Sequence, residues 1–143
     1  MKYTEIQQDL FLMDDLEYHF AHCISVDANM SAGIAVAFEK KYKLKIPLLA
    51  LDYSLRKFPT CIKIEGTPVF NLITKERYYH IPRYDSIEES LVKMRKLAKK
   101  EGIRKIAMPR IGSGLDKKKW EKIRKIIQDV FKDTDIEILV CYL

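Results

Sequence analysis

Three short segments of this chain hold residue types that could do chemistry. "MPRIGSGLDKKKW", residues 108–120, runs an apolar stretch into two glycines flanking a serine, then an acid, then a basic run. Backbone N–H groups in such a loop can point at an anion beside a helix N-terminus. The spacing is neither a Walker A loop nor a Rossmann fingerprint, and a plain tight turn uses the same residues. Asp116 falls at the expected start of a helix, where a carboxylate cap stabilises by about 1 kcal/mol. Capping and chemistry are both open to it.

The second segment, "SVDANMSAGIAV" at residues 25–36, leads an apolar strand into a helix through small residues. Ala32-Gly33 there would let a ligand approach the backbone, or let the helix pack closely on a sheet. The third, "NLITKERYYHIP" at residues 71–82, puts Lys75 at the end of an apolar strand. A free lysine with a pKa near 10.4 is only ~0.04% neutral at pH 7. Burial lowering that to about 8 would leave roughly 10% neutral amine, enough for a nucleophile toward a carbonyl-like carbon. A surface lysine with a snorkelling stem is the plainer alternative. Asp9, in "QDLF", could accept from an adenine amino group or serve a turn.

The elements that must position these residues follow from hydrophobic periodicity. "KYTEIQ" and "YHFAHCI" read as strands, the second apolar enough to be buried on both faces. "SAGIAVAFEKKY" turns helical, with Ile34, Ala37, Phe38 and Lys41 at spacings of three and four. "CIKIEGTPVFNLIT" reads as two strands joined at Gly66-Thr67-Pro68, a hairpin. "SIEESLVKMRKLAKKEG" predicts a helix opened by a capping box, Ser86 with Glu89, and closed by Gly102. Its stripe is Ile87, Leu91, Met94 and Leu97/Ala98. "RKIAMP" is a strand, "DKKKWEKIRKIIQDVF" a helix with Trp120, Ile123, Ile127 and Val130/Phe131 inward, and "IEILVCYL" a last strand. Strands alternating with crossover helices indicate an α/β sandwich on a mixed sheet, with ligands at the carboxyl ends of the strands.

Length and composition narrow the classes further. The 143 residues make a single domain, and 48% hydrophobic with 32% charged residues is ordinary globular composition. No run approaches 18 apolar residues and "MKYTEIQQDL" lacks a signal-type core, so no membrane partner and a cytoplasmic location are expected. Cys23, Cys61 and Cys141 are odd in number with no C-x-x-C, so they read as small buried hydrophobes rather than disulfides or zinc ligands. His19, His22 and His80 form no metal motif, and on one strand His19 and His22 would face opposite ways. No cofactor or metal is expected. The net charge of +6 concentrates between Lys93 and Lys125, where 14 Lys/Arg stand against 3 acids. Such a face suits a nucleic acid through counterion release, or is simply the solvated outside of two helices.

Taken together, "HCISVDANMSAGIAVAF", "LITKERYYHIPRYDSIEESL" and "MPRIGSGLDKKKWEKI" resemble the signature segments of the lysine-dependent macrodomains. These form the class of the terminal ADP-ribose protein glycohydrolase, the ALC1-like macrodomains. The likeness runs in the same order from "QDLF" to "CYL", with L-I-T-K and P-R-I-G-x-G-L-D-x-x-x-W as its specific strings. It implies a single macrodomain over residues 1–143: a three-layer α/β/α sandwich around a central mixed β-sheet.

The resemblance also assigns roles. Lys75 falls on the family's catalytic lysine, which attacks C1″ of the distal ribose to form a lysyl–ADP-ribose adduct, and Asp116 on its general acid/base. Ile111, Gly112, Ser113, Gly114 and Leu115 would cradle the diphosphate and distal ribose. Asp9 and Leu10 would hold adenine, and Ser25, Ala32, Gly33 and Ile34 the other wall. Pro109 and Leu143 complete the implied ADP-ribose contacts. Ser31 stands where a close relative has glycine, and Ser113 where one has cysteine. The implied activity is removal of mono-ADP-ribose from protein Glu/Asp esters, from DNA or RNA, or from O-acetyl-ADP-ribose, by a monomer. A reader module that binds ADP-ribose without turnover is the alternative, though such a module has no need of both Lys75 and Asp116.

Overall fold

Six strands build one sheet. They are β1 (Lys2–Gln7), β2 (His19–Ser25), β3 (Thr60–Lys63), β4 (Val69–Lys75), β5 (Lys105–Met108) and β6 (Glu137–Tyr142). The near-continuous burial of β2, β4, β5 and β6 reflects the two covered faces of the sheet. The computed structural model describes the backbone of residues 1–143 and all side chains except those of residues 15 and 16. The strand order is β1-β6-β5-β2-β4-β3. Every neighbouring pair is parallel except the β3–β4 hairpin. The sheet is therefore mixed, as its sequence pattern indicates.

On one face, Ala21, Phe70, Leu72, Ile106, Ile138 and Val140 pack under α4 (Tyr84–Glu101) and α5 (Trp120–Phe131). On the other, Phe20, Ile24, Val69, Ile73 and Leu139 pack against α1 (Ile34–Tyr42) and α2 (Lys45–Leu49). The period-2 alternation of β2 and β4 separates these sets. His22 and His19 obey it too: His22 stacks on Phe38 at 4.1 Å while His19 lies by Phe70. The result is the expected three-layer α/β/α sandwich.

The α4 stripe is as expected, with Ile87, Leu91, Met94 and Ala98 buried. Each large side chain there contributes about 1.5–3 kcal/mol. Gly102 ends the helix at φ 69°, its N–H bonding back to Ala98 and Lys99. Only a residue at ease in the left-handed region closes this turn cheaply.

Several readings are corrected. The capping box at Ser86 and Glu89 does not form: α4 starts at Tyr84 with Arg83 as its cap residue, and Ser86 is buried inside the helix. Burial of the first turn against the sheet outweighs the local capping option. α5 starts at Trp120, with Lys119 as cap residue, so Asp116 precedes the helix and does not cap it. In α1 only Phe38 of the proposed stripe is buried; Ile34 and Ala37 are exposed. The helix begins at Ile34, and its inward face is Ala35, Phe38 and Tyr42. Cys141 is buried, whereas Cys23 and Cys61 are only partly so. A 3-10 helix at Leu10–Leu16, α2, and α3 (Tyr53–Arg56) had no periodic signal, being short.

The positive charge between Lys93 and Lys125 lies largely on helix exteriors. Lys93, Lys96, Lys99 and Lys100 are exposed on α4, while Lys117 and Lys119 are exposed in the loop before α5. Among the described residues no helix is long and apolar enough to cross a membrane.

Candidate active site

The parallel strands point their carboxyl ends the same way, so the loops after β2, β4 and β5 meet at one edge. Between them lies a cleft of about 590 Å³. That is the size range of small-molecule sites.

Its first wall is the loop after β5. Pro109, Ile111, Gly112, Ser113, Gly114, Leu115 and Asp116 all line the cleft. The loop folds back on itself: Lys118 N–H donates to Gly112 O at 2.6 Å, and Ser113 Oγ donates to Arg110 O at 2.7 Å. Gly112 holds φ 74°, which only glycine adopts without strain. This leaves the N–H groups of Gly112, Gly114 and Leu115 without partners among the described residues. Open N–H groups on a glycine loop of this kind suit an anion.

A network at the far end of the loop anchors it. The Glu5 carboxylate accepts from Tyr3 Oη at 2.7 Å, Trp120 Nε1 at 3.3 Å and Arg124 Nε at 2.5 Å. Arg110 reaches the same carboxylate at 3.6 Å and stacks over Tyr142 at 4.0 Å. Burial would raise the Glu5 pKa, but hydrogen bonds from Arg124, Tyr3 and Trp120 outweigh it and hold the carboxyl below its usual value.

The opposite wall is the loop after β2, where Ser25, Ser31, Ala32, Gly33 and Ile34 line the cleft. Gly33 sits at φ 63°, ψ −154°, a conformation restricted to glycine. Gly33, Ile34 and Ala35 bring the N-terminus of α1, the positive end of its dipole, to the same space. The loops after β2 and β5 thus face each other across the cleft.

At the floor, Lys75 Nζ donates to Asp116 Oδ1 at 2.6 Å, across 41 residues of sequence. Both side chains are largely buried, at 13% and 14% exposure. A register shift between β2 and β4 helps to place the lysine: Ser25 pairs with Lys75, and Thr74 is skipped. An extra residue of this kind bends a strand and re-aims its next side chain. Thr74 Oγ1 is buried there with no partner among the described residues. Beside the pair, Cys23 lines the cleft, and burial together with the Asp116 charge pushes its thiol pKa up, so it stays protonated.

Twelve of the fifteen residues singled out from the sequence therefore line one cleft. Asp9, Leu10 and Leu143 do not. Asp9 accepts from Phe11 N–H and caps the 3-10 helix, Leu10 is buried, and Leu143 is 94% exposed at the chain end. They still lie at the carboxyl ends of β1 and β6, joined there by Gln8 N–H to Tyr142 O. Sequence reasoning missed the third wall, Tyr78, Tyr79, His80 and Ile81. Its signal was consecutive aromatics right after Lys75 in a turn, where no core could claim them.

Comparison with known proteins gives this geometry a lineage. No protein-family model matches the chain. The human ADP-ribose glycohydrolase OARD1 is 39% identical over 137 residues, covering 96% of this chain and 89% of the relative. The macrodomain of Mycobacterium tuberculosis DarG superposes with a TM-score of 0.81 at 18% identity, covering 99% of this chain and 97% of that one. Thermosipho africanus DarTG, solved in complex with ADP-ribose, gives 0.79 at 16% identity, covering all of this chain and 42% of that one. At those identities the two structures support the fold, and OARD1 supports the lineage. The matches support macrodomain membership and not the narrower ALC1-like label. The chain belongs to the macrodomain family of ADP-ribose glycohydrolases.

Proposed function

We propose that the protein hydrolyses ADP-ribose from modified targets, with Lys75 as nucleophile and Asp116 as general acid/base. The observation that carries this is the 2.6 Å contact between the two groups on the floor of the cleft. A lysine attacks only after losing a proton, and here a carboxylate stands ready to take it.

The ligand lies across the row of strand ends. From β1 to β4 the order crosses four spacings, about 19 Å at the usual separation. That row accommodates adenine near Asp9, Leu10 and Leu143, the diphosphate between the Gly112–Leu115 loop and α1, and the distal ribose over Lys75. Lys75 passes a proton to Asp116, and its amine bonds to C1″ as the bond from C1″ to the acceptor breaks. The acceptor leaves with that electron pair and takes the proton from Asp116. Asp116 then draws a proton from water, hydroxide bonds to C1″, and the N–C1″ electron pair returns to Lys75, which is reprotonated by Asp116.

The targets that fit this chemistry are protein Glu/Asp esters, O-acetyl-ADP-ribose and ADP-ribosylated nucleic acid. Turnover assays on the three in parallel test the reading. Release of ADP-ribose from at least one is expected. Tight binding of ADP-ribose with no turnover of any would make the protein a reader instead.

A further inference from the structure

We propose that the Tyr78–Ile81 turn is the leaving-group subsite, and that it selects acceptors with a planar aromatic face. The inference rests on the placement of the distal ribose over Lys75. The adenosine, diphosphate and ribose then occupy the cleft on the β1 to β2 side of that lysine. The bond to be broken points past Lys75, and the surface there is the turn that follows it.

This turn is pre-shaped. His80 N–H donates to Arg77 O at 3.0 Å, and Arg77 N–H donates back to His80 Nδ1 at 3.3 Å. Tyr78 N–H donates to Asp27 Oδ2 at 3.3 Å. The other oxygen of Asp27 accepts from Ser25 Oγ and from Asn29 N–H, so one carboxylate ties the turn to the loop after β2. Val26 N–H donates to Lys75 O at 2.9 Å beside it. The turn is thereby held in a fixed relation to the reacting amine.

Its side chains are nonetheless left open. Tyr78 is 53% and Tyr79 69% exposed, and Ile81 is exposed with them. The tyrosine rings meet edge to face at 5.3 Å, and Tyr79 meets the His80 ring the same way at 4.8 Å. A tyrosine ring is a planar apolar face on which another ring stacks, and here both rings are open to a ligand. A planar acceptor stacks on them; a short aliphatic one does not reach.

The test uses two esters of ADP-ribose that share the bond to be broken, the 1″-O-acetyl and the 1″-O-benzoyl ester. With the full chain, kcat/KM is measured on both for the wild type, Tyr78→Ala, Tyr79→Ala and the double variant. The backbone bond to Asp27 survives these substitutions. The double variant is expected to lose at least fivefold more kcat/KM on the benzoyl ester than on the acetyl ester. Equal losses on both esters overturn the subsite, because they place the tyrosines against the shared ADP-ribosyl part. No loss on either overturns it as well. Hydrolysis of neither ester by the wild type overturns the subsite, and the hydrolase reading falls with it only if ADP-ribosylated protein and nucleic acid are left intact as well.

Discussion

A Cβ on Gly33 would stand 3.3 Å from Leu115 Cδ1, so the loops after β2 and β5 touch across the cleft. Gly33 also holds a backbone conformation that costs other residues about 1–3 kcal/mol. Gly33→Ala should therefore lower Tm by roughly 3–10 °C and weaken ADP-ribose binding together. Differential scanning fluorimetry and calorimetry on the same preparation check both. A Tm and affinity equal to wild type would show that the close approach is not required.

Gly114 gives the opposite case. It lies in the same loop, yet a Cβ there meets nothing within 4 Å and its φ is not positive. Gly114→Glu should fold with Tm within about 2 °C of wild type, since an open surface site costs only ~0.5 kcal/mol or less. It should nevertheless abolish ADP-ribose binding, because its carboxylate repels the diphosphate. Retained micromolar binding would move the phosphates away from this loop.

The Lys75–Asp116 pair separates binding from turnover. Lys75→Ala should keep ADP-ribose binding within a few fold and lose nearly all activity. Lys75→Arg keeps the positive charge opposite Asp116 but stays protonated, so it should be equally inactive. Asp116→Ala removes both the proton acceptor for attack and the base that resolves the adduct, so it should lose turnover; accumulation of ADP-ribose on Lys75 by intact-mass spectrometry would show that the aspartate acts in resolution alone. A fully active Lys75→Ala would end the lysine mechanism. If Asp116→Ala were then inactive, an aspartate-activated water would be the hydrolytic group.

Acid should destabilise the fold through His22. Its Nε2–H donates to Asn71 Oδ1 at 2.7 Å, and Nδ1 is buried without a partner among the described residues. Burial, partly offset by the Asn71 bond, lowers its pKa to about 4 from 6.5. The unfolded chain therefore binds the proton first as pH falls. The stabilisation is complete above the unfolded value and declines between pH 6.5 and 4, by about 1.4 kcal/mol per unit. Glu5, held below its usual pKa, adds a further loss at lower pH, from the unfolded carboxyl value downward. Urea unfolding between pH 7 and 4 should show a slope that His22→Gln removes. An unchanged slope in that variant would assign the acid sensitivity elsewhere.

Much of the architecture was determined by local pattern alone. A short apolar run such as "YHFAHCI" and the stripe Ile87, Leu91, Met94, Ala98 each specify an element type wherever they fold, because the apolar side chains must be buried, on both faces of the strand and on one face of the helix. Gly102 and the Gly66–Pro68 turn mark ends for equally local reasons. The strings around Lys75 and Asp116 were distinctive enough to name the family. What local pattern could not decide was which of two options a polar residue takes. Asp116 suits a helix start, and only the placing of β2 between β5 and β4 in the sheet brings Lys75 within 2.6 Å and makes it a partner instead. Ser86 suits a cap, and burial of the first turn of α4 removes that use. Tyr78 and Tyr79 looked like any aromatics until the turn, pinned by Asp27 from a distant loop, left them facing the cleft. The physical reason is common to all three. A local preference is worth about 1 kcal/mol, and long-range contacts of comparable or greater strength decide among such preferences once the sheet has formed.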